Sequence, residues 1–396
     1  MKIVIACDSF KGCLSAKEVC NSIRTGILSS YPSAEVLSVP VSDGGEGFLQ
    51  CFYDNCGGDI INNIVSNPVF KKINADYMML PDKTAVVETA AASGIALLDK
   101  KQLNPLLSST YGTGELIKNA VKNGAKRIIL GLGGSATNDG GMGALAALGV
   151  RFLDKYGNEL VPTGENMIKV SKMQITGEFE KYKNPEITLA CDVENPFYGE
   201  NGAAHVFSPQ KGADGDMVKE LDSGLKNLAE LFREHSNIDL QEVKGAGAAG
   251  GLCGGLFAML NCKIESGFEA LCKAINFKEK IKNADLIITG EGKTDNQTFF
   301  GKLPKMVADT AKEYNTRCVL ISGDIESGCN TESLGFYKAY KIRTDGMPLQ
   351  YAIKNADMLL KNIGIKTAKE TSYEKSIEKR KKIKIDRRKW NWFSKA

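Results

Sequence analysis

Histidine is almost missing from this 396-residue chain, which has only His205 and His235. A zinc site built from imidazoles is therefore not expected, and the metal to consider first is Mg2+ held by carboxylates. The eleven cysteines include no C-x-x-C pair, and their odd number and scatter from Cys7 to Cys329 point to free thiols in a reducing cytoplasm. No apolar run approaches the length of a membrane span, and MKIVIACDSF enters a strand pattern at once, so neither a membrane segment nor a signal peptide is expected. What is present, 43% hydrophobic and 25% charged residues, is the composition of an ordinary globular protein long enough for two or more domains.

Net positive charge is also lacking over most of the chain. The formal balance is +4, but residues Lys366 to Ala396 hold twelve Lys and Arg against four Asp and Glu, which leaves the first 365 residues at −4. General nucleic-acid binding is excluded on that ground, and neither a nucleic-acid nor a membrane partner is expected. The stretch from Lys379 to Phe393 reads as a solvated, partly disordered basic tail.

The chain centres on Ile128 to Gly149, IILGLGGSATNDGGMGALAALG. Three aliphatic residues suit a buried parallel strand, and Gly131, Gly133 and Gly134 allow backbone approaches that a Cβ would block. Bare amides at the turn and the start of the following helix suit a phosphate or carboxylate, with Ser135, Thr137, Asn138 and Asp139 crowded beside them. Gly131-x-Gly133-x-x-Ala136 also fits a dinucleotide fingerprint, and tight strand–helix packing accounts for such glycines equally well.

In chain order, Lys2 to Ala6 reads as a strand that delivers Asp8 and Lys11 to a loop before a helix, which Ser15 and Glu18 open as a capping box. A lysine at that junction is well placed to hold phosphate. Val36 to Val41 reads as a second strand, delivering Asp43, Gly44 and Gly45. Ile187 to Ala190 delivers Asp192, the third acid at a strand's carboxyl end, where open α/β sheets bind ligands. Gly245 to Gly255 contains another G-x-G-x-x-G match, but its lead-in IDLQEVK is a poor strand and helix packing is the plainer reading. Near the end, Leu286 to Thr289 reads as a strand followed by Glu291, Lys293 and Asp295, and Val319 to Ile321 as another. A Walker A loop at Gly292-Lys293-Thr294 is rejected because Ile287 stands where its first glycine belongs.

Both ends thus show β-α units with acidic loops. The expected architecture is α/β: a doubly wound, Rossmann-like parallel-sheet domain formed by residues 1–66 and 281–365, a second α/β domain of residues 67–280 inserted between them, and the basic tail of residues 366–396.

Seven blocks, DSFKG with LSAKEV, SDGGEG, TYGTGELI, GLGGSATNDGGMG, ACDVENPFYG, FSPQKGA and ITGEGKTDNQT, resemble in order the type 1 family of bacterial glycerate kinases. The resemblance implies ATP-dependent phosphorylation of glycerate, with 2-phosphoglycerate as the expected product and 3-phosphorylation as the alternative. A dinucleotide-binding oxidoreductase is the rival class. The resemblance also implies Mg2+ with the nucleotide. Cys7, Cys13 and Cys253 depart from the family pattern, and His205 lies in a matching block without being a usual family residue.

The chemistry asks for held phosphates, a metal and a proton acceptor. Asp192 is assigned as base, with Lys11 and Asp295 beside it in catalysis. Asp43 and Asp295 are assigned to Mg2+. Asp8, Gly44, Gly45, Gly133, Gly134, Ser135, Asn138, Asp139, Glu291 and Lys293 are assigned to substrate or nucleotide.

Overall fold

The computed structural model describes residues 1–45, 47–295 and 303–393, with side chains in the last helix described through Glu374. In chain order its strands are β1 (Lys2–Cys7), β2 (Glu35–Ser38), β3 (Asp59–Ser66), β4 (Lys72–Met79), β5 (Thr84–Glu88), β6 (Arg127–Gly131), β7 (Val150–Leu153), β8 (Lys172–Ile175), β9 (Glu186–Ala190), β10 (Cys262–Glu265), β11 (Leu286–Thr294), β12 (Cys318–Ile325) and β13 (Lys338–Lys341). The chain divides into two compact units, one of Met1–Val41 with Asn276–Ala396, the other of Ser42–Ile275.

In the first unit five parallel strands run in the order β13-β12-β11-β1-β2. Counted within the unit this is the doubly wound order 2-1-3-4-5, whose switch point lies between β1 and β11. Ile3, Ile5, Ile288, Val319 and Ile321 are buried, as strands covered on both faces require. The Ala16–Ser30 helix begins at the expected capping box: Ser15 Oγ accepts from Glu18 N at 3.3 Å, and Ser15 N donates to Glu18 Oε2 at 2.8 Å. Against it packs the Ala356–Phe393 helix, closely enough that a Cβ on Gly26 would lie 2.0 Å from Lys361 O and one on Gly364 2.4 Å from Ile23 O.

That helix corrects the reading of the basic segment as a solvated tail beginning at residue 366. Thr367, Ala368 and Thr371 are buried. Glu370 accepts from Lys338 Nζ at 2.9 Å and Tyr340 Oη at 2.6 Å, and Glu374 accepts from Arg317 Nη1 at 2.8 Å, Tyr337 Oη at 3.0 Å and Lys338 Nζ at 3.1 Å. The segment is therefore docked on β12 and β13 through Glu374. High charge in the composition concealed a helix whose buried face is made of threonine and alanine.

The second unit has a six-stranded sheet in the order β10-β9-β6-β5-β4-β3, with β5, β6, β9 and β10 parallel and β3 and β4 antiparallel, plus the β7–β8 hairpin. Ala85, Val87, Ile128, Leu130, Ile187 and Leu189 form the sheet's part of a core shared with helices on either side in sequence. The unit boundaries, at Val41/Ser42 and Ile275/Asn276, differ from the expected 66/67 and 280/281. β3 pairs along its whole length with β4, so residues 42–66 go with the insertion.

Candidate active site

Each unit carries its polar groups at the carboxyl ends of parallel strands. In the second unit the register sets Glu88, Gly131, Ala190 and Glu265 side by side at one sheet edge. Ser42–Gly45 is drawn against that edge by glycines. Gly133 N donates to Gly44 O at 3.3 Å, a Cβ on Gly133 would lie 2.5 Å from Gly45 Cα, and one on Gly267 would lie 2.4 Å from Gly44 N. Gly44 itself has φ +91°, which a side chain would strain. Asp43 is held by a short turn in which its Oδ1 accepts from Gly45 N at 3.1 Å.

Asp192 meets this loop from the end of β9. Its Oδ2 accepts from Gly267 N at 3.4 Å, and a Cβ on Gly44 would lie 3.5 Å from that same oxygen. Burial of the carboxyl, and then the neighbouring Asp43 carboxylate, push Asp192 up to about 8, against the lowering effect of the Gly267 amide. Asp192 keeps a solvent-exposed face, and water there tempers the shift. Two carboxylates brought together by packed glycines form a group that attracts a cation, and Asp192 holds a proton more tightly than an ordinary carboxyl. Ser42 Oγ, buried beside them in sequence, has no hydrogen-bond partner. This donor set suits Mg2+, which uses one or two carboxylates and completes its shell from phosphate and water. Among the described residues there is no cluster of three or more His, Cys, Asp or Glu able to hold a metal alone.

The Gly134–Asp139 turn is built by two lysine hydrogen bonds and a buried acid. Gly134 has φ +73°, and Lys211 Nζ donates to Ser135 Oγ at 2.9 Å and to Thr137 O at 2.7 Å. Asp139 is fully buried, accepting from Thr110 N at 2.7 Å, Thr110 Oγ1 at 2.8 Å, Gly141 N at 3.1 Å and Gly143 N at 3.1 Å. Its oxygens are thus engaged with protein, and its place in the structure is to hold the turn rather than to face a ligand. Asn138 is different: it is buried, and neither its Nδ2 nor its Oδ1 has a partner; the same is true of Thr137 Oγ1. Orphaned polar atoms in a buried turn call for water or a bound group.

Of the expected residues, Asp43, Gly44, Gly45, Gly133, Gly134, Ser135, Asn138, Asp139 and Asp192 lie in the second unit, and Asp8, Lys11, Glu291, Lys293 and Asp295 in the first. Asp8 N continues the sheet by donating to Gly290 O at 2.9 Å, which puts Asp8 at the β1/β11 switch point. A Cβ on Gly292 would lie 3.5 Å from Lys11 N, so the Lys11 loop lies beside β11. Glu291 and Lys293 are not in a loop, as the glycines suggested, but in β11, which pairs with β12 as far as Thr294↔Ile325. Gly290 and Gly323 serve that pairing: a Cβ on Gly290 would lie 2.3 Å from Ile321 O and one on Gly323 2.2 Å from Gly292 O. Glu291 Oε1 accepts from Thr294 Oγ1 at 2.8 Å, and exposed Lys293 lies 3.9 Å from Glu326. Asp295 follows directly after β11, while the remainder of the ITGEGKTDNQT block, from Asn296 on, lies outside the described residues.

Lys211 escaped the sequence reading, because nothing local in SPQKGA marks a lysine that is 2% exposed. Glu88, whose Oε1 accepts from Leu49 N at 3.0 Å, was also not singled out; its place at the end of β5 was the available signal. The Gly245–Gly255 run packs rather than binds: a Cβ on Gly250 would lie 2.0 Å from Thr137 O, and one on Gly255 2.1 Å from Gly140 O. It acts as a close support for the Gly134–Asp139 turn.

Doubly wound α/β topology, with acids and bare amides at strand carboxyl ends, defines an α/β protein of the kind that binds ligands at those ends. A family model described as "Glycerate kinase family" matches residues 3–372. A Bacillus cereus protein named glycerate kinase is 42% identical over 92% of this chain and 97% of its own length. An Escherichia coli protein named glycerate 2-kinase is 43% identical over 82% of this chain and 86% of its own. A solved structure from Salmonella typhimurium LT2, named "putative glycerate kinase 2", superposes with TM-score 0.85 at 37% identity, covering 95% of this chain and 99% of that one. The chain belongs to the glycerate kinase family.

Proposed function

We propose that this family member transfers the γ-phosphoryl group of ATP to the 2-hydroxyl of glycerate, giving ADP and 2-phosphoglycerate. The observation that carries the reading is the Asp43–Asp192 pair, set by close-packed glycines at the carboxyl edge of the second unit's sheet. The name of the Escherichia coli relative supports the 2-position.

Asp192 is assigned as the proton acceptor. As the glycerate oxygen bonds to phosphorus and the bond to the ADP oxygen breaks, the hydroxyl proton passes to the Asp192 carboxylate. The raised affinity of Asp192 for a proton suits late acceptance. Mg2+ bound with the nucleotide would supply relief of phosphate charge; Asp43 is the acid of the second unit, and Asp295 that of the first, assigned to hold it. Lys11 balances phosphate charge from its strand-to-helix loop. Asp8, Glu291, Lys293, the amides of Gly44, Gly45, Gly133 and Gly134, Ser135 and the unpartnered Asn138 amide are assigned to positioning glycerate and nucleotide. The eleven cysteines are all free thiols, as suits a cytoplasmic enzyme.

The test is ADP release by the purified protein with ATP and Mg2+, with and without glycerate. Release that depends on glycerate supports the reading. Release that is absent, or indifferent to glycerate, defeats it.

A further inference from the structure

Lys211 has no place in the chemistry above, yet it is buried to 2% exposure, and both its hydrogen bonds go to the Ser135–Thr137 turn. An ammonium only donates. Ser135 Oγ therefore accepts from it, and the serine hydroxyl hydrogen is left to point elsewhere. The second bond, to Thr137 O, fixes the backbone two residues further on. From the other side Ile95 N donates to Gly134 O at 2.9 Å and Ala136 N to Ser93 O at 2.8 Å, so the turn is gripped on both flanks. Both acceptors of Lys211 are neutral. Asp139 attracts it through space, but the oxygens of Asp139 are taken by four other donors. A buried ammonium so placed lacks close compensation for its charge. Just after Ser135 in the chain, Thr137 Oγ1 and both polar atoms of Asn138 are buried without partners.

We propose that Lys211 is a positioning residue: through Ser135 it makes that hydroxyl a donor to an anionic oxygen of the substrates, the glycerate carboxylate or a nucleotide phosphate. The inference rests on the kinase reading and extends it. An anion at Ser135 draws the proton onto Lys211 and completes a line of ammonium, hydroxyl and anion, each hydrogen bond polarising the next. Lys211 does not touch the substrate; its effect passes through Ser135.

The experiment is steady-state kinetics with ATP, Mg2+ and glycerate on the wild type, Lys211→Met, Ser135→Ala and the double variant. Lys211→Met is expected to raise KM at least tenfold for one substrate with kcat changed less than threefold: glycerate if its carboxylate docks at Ser135, ATP if a phosphate does. Ser135→Ala should raise the same KM, and the double variant should be no worse than Lys211→Met alone. Unchanged KM values in Lys211→Met overturn the proposal, as do additive effects in the double variant, because residues acting through one another cannot lose the same contact twice. A merely structural lysine would lower the melting temperature without selecting one substrate. Should Lys211→Met not fold, Lys211→Gln takes its place, and if neither folds the KM shift of Ser135→Ala decides. If the wild type itself transfers no phosphoryl group, the kinase reading fails separately. Calorimetric titration of ATP and of glycerate into wild type and Lys211→Met then tests the link, with equal affinities overturning it.

Discussion

Gly133→Ala puts one methyl group into a tight backbone junction of the candidate site. The added Cβ would lie 2.5 Å from Gly45 Cα and 3.1 Å from Gly44 O, both backbone atoms that cannot rotate away. Gly133 is not among the residues with positive φ, so the damage is steric and not conformational. Overpacking of this kind costs about 1–3 kcal/mol. Loss of the 3.3 Å bond from Gly133 N to Gly44 O adds about 1 kcal/mol. A total of roughly 2–4 kcal/mol corresponds to a fall on the order of 5–10 °C in the melting of a unit of this size. The same displacement moves the Asp43 loop away from Asp192, so turnover should fall at least tenfold. Gly177→Ala serves as control, since a Cβ there meets nothing within 4 Å. Melting followed by circular dichroism, together with glycerate-dependent ADP release, gives both readouts. A Gly133→Ala protein that melts with the Gly177→Ala control and turns over like wild type would refute the glycine junction as the device that sets the acidic pair.

Asp192→Asn should lower kcat by about 10²–10⁴-fold, the usual worth of a general base, with ATP binding by calorimetry nearly unchanged; near-wild-type turnover would discard the assignment. Burial lowers Lys211 to about 7, with Asp139 the acid that opposes it. The unfolded chain keeps that proton to a pKa of about 10.4, so between the two values it binds more protons than the folded protein, and stability rises with pH. From pH 7 to 9 wild type should gain roughly 1 kcal/mol per pH unit relative to Lys211→Met, and parallel pH curves in denaturant melts would contradict this. Ending the chain after Glu374 should leave activity intact, whereas ending it after Ile365 removes Ala368 and the Glu370 and Glu374 bonds to Lys338 and should lower the melting temperature by several degrees. Equal melting of the two truncations would show the docked segment to be dispensable.

Features set by neighbours in sequence were readable in advance. The Ser15–Glu18 capping box needs four residues, and the strand, glycine turn and helix from Ile128 onward need about twenty; both stand in the structure where they were expected. Features set by distant partners were not. β3 joins the second unit because β4 pairs with it, and the opening segment's strands and acids gave no sign of that. Gly290 and Gly292 read as a loop because glycine favours turns, yet both lie in β11, where Gly290 lets β12 approach and Gly292 faces the Lys11 loop. The burial of Lys211, and the complete occupation of Asp139 by protein donors, depend on residues 29 and 76 positions away. The three acids Asp8, Asp43 and Asp192 were legible as a class because each follows a strand, but only the structure pairs Asp43 with Asp192 and places Asp8 at the β1/β11 switch point.

Phosphorus NMR of the products formed from ATP, Mg2+ and each enantiomer of glycerate tests the central claim most directly. The account predicts a 2-phosphoglycerate resonance that grows in step with ADP, is lost in Asp192→Asn, and is independent of residues after Glu374. A 3-phosphoglycerate resonance would contradict transfer to the 2-hydroxyl, and no phosphoglycerate from either enantiomer would contradict the kinase assignment.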